Sequence, residues 1–250
     1  FTLGWAQSTL NRGRMATRGT SQRLSLEVSL PGGDLEYYKF TYSGQYFKPL
    51  TRSLTLRLRT ELGYADSYGS TSELPFFEHF YAGGFGSVRG FKRNTLGPRS
   101  TPAETLTVLN SIITENENGV LVALPEDRAY ALGSTGDFST QTVGRDDDPF
   151  GGNILIEGSA EVIFPMPFIK DQRSIQSAFF IDVGNVFDTN CGVNQLNCHD
   201  VDFGKINASV GLGVTWITGF GPMTFSIAKP LRENEDDETE FFQFSLGNSF

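Results

Sequence analysis

Arg89 stands in the run Phe80-Tyr81-Ala82-Gly83-Gly84-Phe85-Gly86-Ser87-Val88-Arg89-Gly90-Phe91, which is rich in glycine and flanked by phenylalanine. Glycines allow tight turns and close backbone approach. An arginine held at such a turn offers a planar fork of donors suited to carboxylates. The same composition also fits a surface turn with a solvated arginine, so the reading depends on a partner. Glu161 and Asp182 are candidates for that partner. Glu157, Ser159 and Glu161 alternate with Ile154, Ile156, Gly158, Ala160, Val162 and Phe164, while Phe180, Asp182 and Gly184 alternate with Phe179, Ile181, Val183, Asn185 and Phe187. Period-two spacing puts both acids on the polar faces of consecutive strands, where pairing can bring them within reach of one guanidinium. Enclosed carboxylates need a cation or water. Arg89 is the obvious cation, and the alternative is that both acids line a hydrated lumen.

Other chemistry is sparse. Cys191 and Cys198 lie close together in one stretch, and a disulfide closing a small loop is expected in an oxidising compartment. His199 follows directly, but two cysteines and one histidine lack the paired spacing of a zinc site, so no metal is expected. His79 has no partner histidine and reads as an ordinary loop residue. There is no Gly-x-Ser-x-Gly elbow, phosphate loop or His-Glu-x-x-His, so neither enzyme chemistry nor a cofactor is indicated. A net charge of −9 argues against a nucleic-acid partner, which needs a basic face.

The elements that must position these residues are strands. Residues 1–6, 24–30, 38–46, 54–64, 154–164, 179–187, 206–216, 223–227 and 241–250 each alternate apolar and polar, which predicts nine strands. Polar residues 11–21 and the Lys48-Pro49-Leu50 and Gly219-Phe220-Gly221-Pro222 runs read as turns. Arg57, Arg59 and Glu61 share one strand face and suit a wet lumen or solvent rather than a dry core. Between strands four and five, residues 66–152 form a segment of 87 residues with little alternation, a length that a compact domain rarely carries without a task. Within it, residues 105–113 and 120–124 read as short strands or a helix, and Asp146-Asp147-Asp148 as a solvated run.

No apolar window reaches the ~18 residues of a transmembrane helix, but a membrane β-barrel hides its hydrophobicity by alternation. Several strands approach the ~9–11 residues that cross a bilayer obliquely. Connections after Leu50, Phe164 and Ile217 are short, whereas those after Tyr64, Phe187 and Leu231 are longer and acidic. Aromatics sit at strand ends: Tyr46, Tyr64, Phe164, Phe187, Trp216 and Phe250. Short turns on one side, long loops on the other and aromatic rims describe an all-β antiparallel transmembrane barrel better than a soluble sandwich. The chain starts at Phe1 without a signal peptide, which suggests a piece of a longer protein.

Specific runs carry a family resemblance. Leu74-Pro75-Phe76-Phe77-Glu78-His79-Phe80-Tyr81-Ala82-Gly83-Gly84, Val88-Arg89-Gly90-Phe91 and Asn94-Thr95-Leu96-Gly97-Pro98 resemble the bacterial outer-membrane β-barrel assembly factors, within a wider family that includes secretion transporters. Residues 161–168 and 179–188, the Gly219-Phe220-Gly221-Pro222 turn and the aromatic-ended final strand extend the resemblance along essentially the whole chain. It implies a bacterial outer-membrane protein whose loop, residues 66–152, folds from the extracellular side into the barrel, with Arg89 meeting Glu161 and Asp182. It implies a parent barrel of roughly sixteen strands, of which this chain supplies about nine at the C-terminal end, without the periplasmic domains. The family inserts unfolded outer-membrane proteins through a seam. Residues Phe242, Phe244, Leu246, Gly247 and Phe250 match the strand that forms one lip of it and carries the C-terminal signal. Implied partners are outer-membrane lipids, unfolded outer-membrane proteins and accessory lipoproteins, the last mostly through the periplasmic domains. The two edges of nine strands call for closure as a small barrel or self-association. A two-partner secretion transporter and a passive porin are the competing readings.

Overall fold

The computed structural model describes residues 1–13, 15–99, 113–115, 121–123, 148–166, 169, 174–191, 195, 197–219 and 221–247. Its strands are β1 (Thr2–Ser8), β2 (Gly19–Val28), β3 (Tyr37–Pro49), β4 (Thr55–Ser67), β5 (Ile113–Glu115), β6 (Leu121–Ala123), β7 (Ile154–Phe164), β8 (Ile175–Phe187), β9 (Asn207–Thr218), β10 (Gly221–Arg232) and β11 (Phe242–Leu246). Nine of them form one sheet in the order β1-β2-β3-β4-β7-β8-β9-β10-β11, each antiparallel to its neighbours in the chain, while β5 and β6 pair only with each other. The nine expected strands are therefore present in an all-antiparallel sheet. Of the stretches expected inside the long segment, residues 113–115 and 121–123 are strands, and residues 105–112, 120 and 124 lie outside the described residues. No pairing joins β1 to β11 among the described residues, so the expected small closed barrel is not formed within them.

The sheet is inverted relative to a soluble core. Glu157, Ser159, Glu161, Asp182, Asn207, Ser209, Thr224 and Ser226 are buried on one face, while Phe179, Ile181, Val183, Leu212, Trp216, Ile227, Phe242 and Phe244 are exposed on the other. Water-soluble domains seldom leave so many large apolar residues uncovered while burying acids. The arrangement fits an outer face set in hydrocarbon, where the strand ladders also satisfy the backbone.

The buried face is covered by the long segment. Isolated bridges Phe80↔Gly152 and Ala82↔Leu96 fold it on itself, and Phe91↔Thr239 ties it to the β10–β11 connection. Its residues Leu74, Phe80, Ala82, Val88, Phe91 and Leu96 form an apolar cluster with Ala65, Leu155 and Val186 of the sheet. Glycines on the strands make the close fit: a Cβ on Gly63 would lie 2.6 Å from the Phe80 ring, and one on Gly184 would lie 2.9 Å from Val88 Cγ2.

Several boundaries differ from the pattern. Pro49 pairs with Thr55 inside β3–β4, so Lys48 and Pro49 belong to the strand. Residues 19–21 are already in β2, and the β1–β2 connection is no plain polar turn: buried Ala16, with Leu10, packs on Phe47 and Ile163 under the sheet. β8 begins at Ile175, where it finds Trp216 as partner. β11 ends at Leu246. Gly247 adopts φ +85°, which breaks the extended path although its N–H still donates to Pro222 O at 2.9 Å. Gly247 therefore lies in a bend, and Phe250 is outside the described residues.

Candidate functional site

Antiparallel register sets Ser159 opposite Asp182 and Glu161 opposite Phe180, so the two acids are diagonal neighbours on the inner face. Arg89 is lowered onto them by the loop. Its Nε donates to Asp182 Oδ2 (2.7 Å), its Nη2 to Asp182 Oδ1 (2.9 Å) and Glu161 Oε1 (2.6 Å), and its backbone N–H to Asp182 Oδ2 (3.1 Å). The guanidinium plane lies 3.4 Å from the centre of the Phe180 ring. Ser159 Oγ completes the enclosure, donating to Asp182 Oδ1 at 2.6 Å. Asp182 has no exposed surface. Fork geometry, a desolvated carboxylate and a ring face make this an arginine-specific socket.

The rest of the motif is fitted as closely. Val88 and Phe91 are fully buried. Gly90 has φ +91°, and a Cβ there would approach Ala228 and Ser209 Cβ at 3.1 and 3.3 Å. Phe91 O accepts from Gln243 Nε2 (2.7 Å), and Gly90 O accepts from Glu240 N–H (2.9 Å). The tip thus contacts β7 through β11, including the terminal strand. Phe242, Phe244 and Leu246 point outward, away from it.

A second layer was not singled out in the sequence. Arg57 Nη1 donates to Glu161 Oε2 (3.2 Å), so Glu161 is shared by two arginines. Arg59 donates to the carbonyls of Gly86 and of Ser87, and the Ser87 hydroxyl reaches Glu157. Period two placed Arg57, Arg59 and Glu157 on the lumenal face, but nothing local showed that the tip would descend to them. Phe180 and Gln243 were equally inconspicuous. His79 is no ordinary loop residue: it is buried, with its ring nitrogens 3.0 Å from Phe150 O and 3.3 Å from Leu74 O.

Cys191 and Cys198 form a disulfide, with Cα atoms 5.5 Å apart, in the β8–β9 connection. His199 O accepts the Asp188 N–H (3.1 Å), and no group of metal-binding side chains is present among the described residues.

Beyond the tip, Lys92 Nζ and Arg99 Nη2 both donate to Glu238, at 2.6 and 2.5 Å, clamping residues 92–99 to the β10–β11 connection. These hydrogen bonds, led by that from Lys92, hold the Glu238 carboxyl below the usual glutamate range. A depressed folded-state pKa gives stability that is complete above the unfolded value and is lost as pH falls through the folded one. Acidification below the ordinary glutamate range is therefore expected to speed hydrogen exchange in residues 92–99, after correction for intrinsic rates. Glu238→Gln should show that faster exchange already at neutral pH. Equal protection in both would remove the clamp from the account.

Comparison with known proteins follows the same lines. The Omp85 superfamily domain matches residues 1–250. The outer membrane protein assembly factor BamA of Neisseria meningitidis serogroup B is 34% identical over 265 aligned residues, covering 100% of this chain and 28% of that protein. BamA of Neorickettsia risticii is 33% identical over 104 residues, covering 42% of this chain and 13% of that protein. The crystal structure of Haemophilus ducreyi BamA lacking POTRA domains 1–3 superposes with a TM-score of 0.70 and 27% identity, covering 97% of this chain and 41% of that one. The chain therefore spans less than a third of the meningococcal relative's length. Its lipid-ready outer face, charged inner face and matched length make it an outer-membrane β-barrel chain, and it belongs to the Omp85 superfamily.

Proposed function

We propose that this chain is the C-terminal part of the barrel of an outer-membrane protein assembly factor, which folds and inserts other outer-membrane proteins without bond-making chemistry. The observation that carries this reading is the 34% identity to an assembly factor along the whole chain. The long segment lies on the extracellular side and the short turns on the periplasmic side. Val88, Arg89, Gly90 and Phe91 form a plug that holds the sheet from inside while the outer edge of β11 stays available.

Among the described residues β11 pairs with β10 over Phe242–Leu246, with one further backbone hydrogen bond at each end, from Ala228 N–H to Phe241 O and from Gly247 N–H to Pro222 O. A strand with few ladder bonds separates from a partner at low cost, and its free edge templates an incoming strand by β-augmentation. Unfolded outer-membrane proteins are the substrates, and lipids surround the apolar belt. Accessory lipoproteins act mainly on parts of the protein outside this chain. Alone, the chain would cover its edges by self-association.

Depletion of the full-length protein tests the reading. Broad loss of unrelated β-barrels from the outer membrane is the expected result. Loss of one exported protein, with other barrels intact, would make it a two-partner secretion transporter and overturn the proposal. An unchanged proteome with large steady conductance in planar bilayers would make it a porin.

A further inference from the structure

The end of β10 carries a feature that the assembly reading does not use. Its outward residues are Met223, Phe225, Ile227 and Lys229, and its inward ones include the buried Thr224, Ser226 and Ala228. Strict alternation would turn Arg232 inward with Pro230. The register with β9 slips at that point: Lys229 faces Val210, Pro230 faces Ser209, and Arg232 rather than Leu231 faces Ala208. Ser209 is buried on the inner face, and Val210 and Ala208 flank it, so they point outward. Leu231 is the additional residue of a bulge, and the bulge re-aims Arg232 to the outer face beside Lys229.

Both cations are exposed, and among the described residues neither takes part in an ion pair. Their cross-strand partners, Val210 and Ala208, are short and uncharged. Exposed Ile227 and Leu231 lie on the same strand as the pair, and the outward apolar residues Leu212, Trp216, Phe242 and Phe244 continue the belt. General basicity does not explain the pair, because the chain carries a net charge of −9. A guanidinium and an ammonium at the margin of hydrocarbon, without an ion pair among the described residues, meet the headgroup layer, where phosphate offers several acceptor oxygens and matches the arginine fork.

We propose that Lys229 and Arg232 dock the phosphorylated headgroup of a membrane lipid in the leaflet on the long-connection side, with its acyl chains lying along Ile227, Phe225 and Leu212. The site is set on the strand that pairs with β11, so a docked lipid would steady the sheet next to its free edge. The proposal uses the orientation given above but not the assembly activity, and its test needs neither growth nor substrate.

Full-length protein in nanodiscs is titrated with lipid A carrying its phosphates and with the same lipid after phosphatase treatment, and bound lipid is counted by native mass spectrometry. The unmodified protein is expected to prefer the phosphorylated form. Lys229→Ala with Arg232→Ala should weaken binding by about tenfold, while Arg52→Ala, in the exposed short turn between β3 and β4, should not. Heat-modifiable electrophoretic mobility checks that each variant is folded. Equal affinity of the unmodified protein for the two lipids would overturn the proposal whether or not the variants fold. So would a folded double variant that binds as tightly as the unmodified protein.

Discussion

Arg89→Glu in the full-length protein is expected to release the loop tip and abolish growth support. Asp182 is fully buried, and its remaining side-chain partner would be Ser159. Glu161 would keep Arg57 at 3.2 Å. The largest cost therefore falls on Asp182, which would be left buried without a cation and facing an introduced carboxylate. Breaking a buried pair by removing one partner costs about 3–5 kcal/mol, a change on the order of 10²–10⁴ in the population of the undocked loop. Protease cleavage within residues 80–99 reads that population. Arg89→Lys should fall between, since an ammonium keeps the charge but not the fork or the flat contact with Phe180. Asp182→Asn combined with Arg89→Glu should restore part of the protection by removing the stranded charge. If Arg89→Glu matches the unmodified protein in both protease sensitivity and growth, the cluster is unimportant. An intact ion cluster need add little net stability compared with an apolar filling. Its effect here is to define one seat for the tip.

Gly211→Ala is expected to be the second largest effect. Gly211 is on the inner face of β9, behind Phe180. A Cβ there would collide with the Ile227 carbonyl oxygen and lie 2.5 Å from Phe180 Cζ and 2.9 Å from Ala228 Cα. Backbone cannot yield cheaply, and Phe180 can only move toward the Arg89 guanidinium 3.4 Å away. Overpacking of this kind costs about 1–3 kcal/mol. Gly213→Ala is the matched control, two residues along the same face. Its nearest contacts would be 3.7 Å, ordinary van der Waals distances. The first variant should lower the unfolding temperature and raise cleavage at the tip, while the second should do neither. Equal behaviour of the two would mean that the Phe180 support does not matter.

The sequence by itself determined the strands and their faces. Alternation is local, so runs such as Ile154 to Phe164 in β7 declared both their extended form and the side on which Glu157 and Glu161 would lie. The same logic assigned Asp182 to the inner face, and the glycine-rich setting of Arg89 advertised a tightly turned tip. Short turns on one side, long acidic loops on the other and aromatic strand ends also pointed to a bilayer, because a soluble sandwich predicts none of these.

The tertiary structure decided which inner residues meet, since that depends on register and on the path of a loop more than sixty residues away in sequence from its seat. Arg57 and Arg59 read as charges facing a wet lumen or solvent, and only the descent of the tip made one share Glu161 and the other hold the Gly86 and Ser87 carbonyls. The cation–ring contact with Phe180, the link from Gln243 to Phe91 and the burial of His79 have no local signal, because each partner is supplied by a remote element. The β1–β2 connection looked like a polar turn, yet Ala16 is buried because Phe47 and Ile163 offer it an apolar floor. The end of β11 and the bulge in β10 were likewise hidden. A positive φ at Gly247 and a one-residue slip beside Pro230 are answers to neighbouring strands, and period-two spacing carries no record of a neighbour's register.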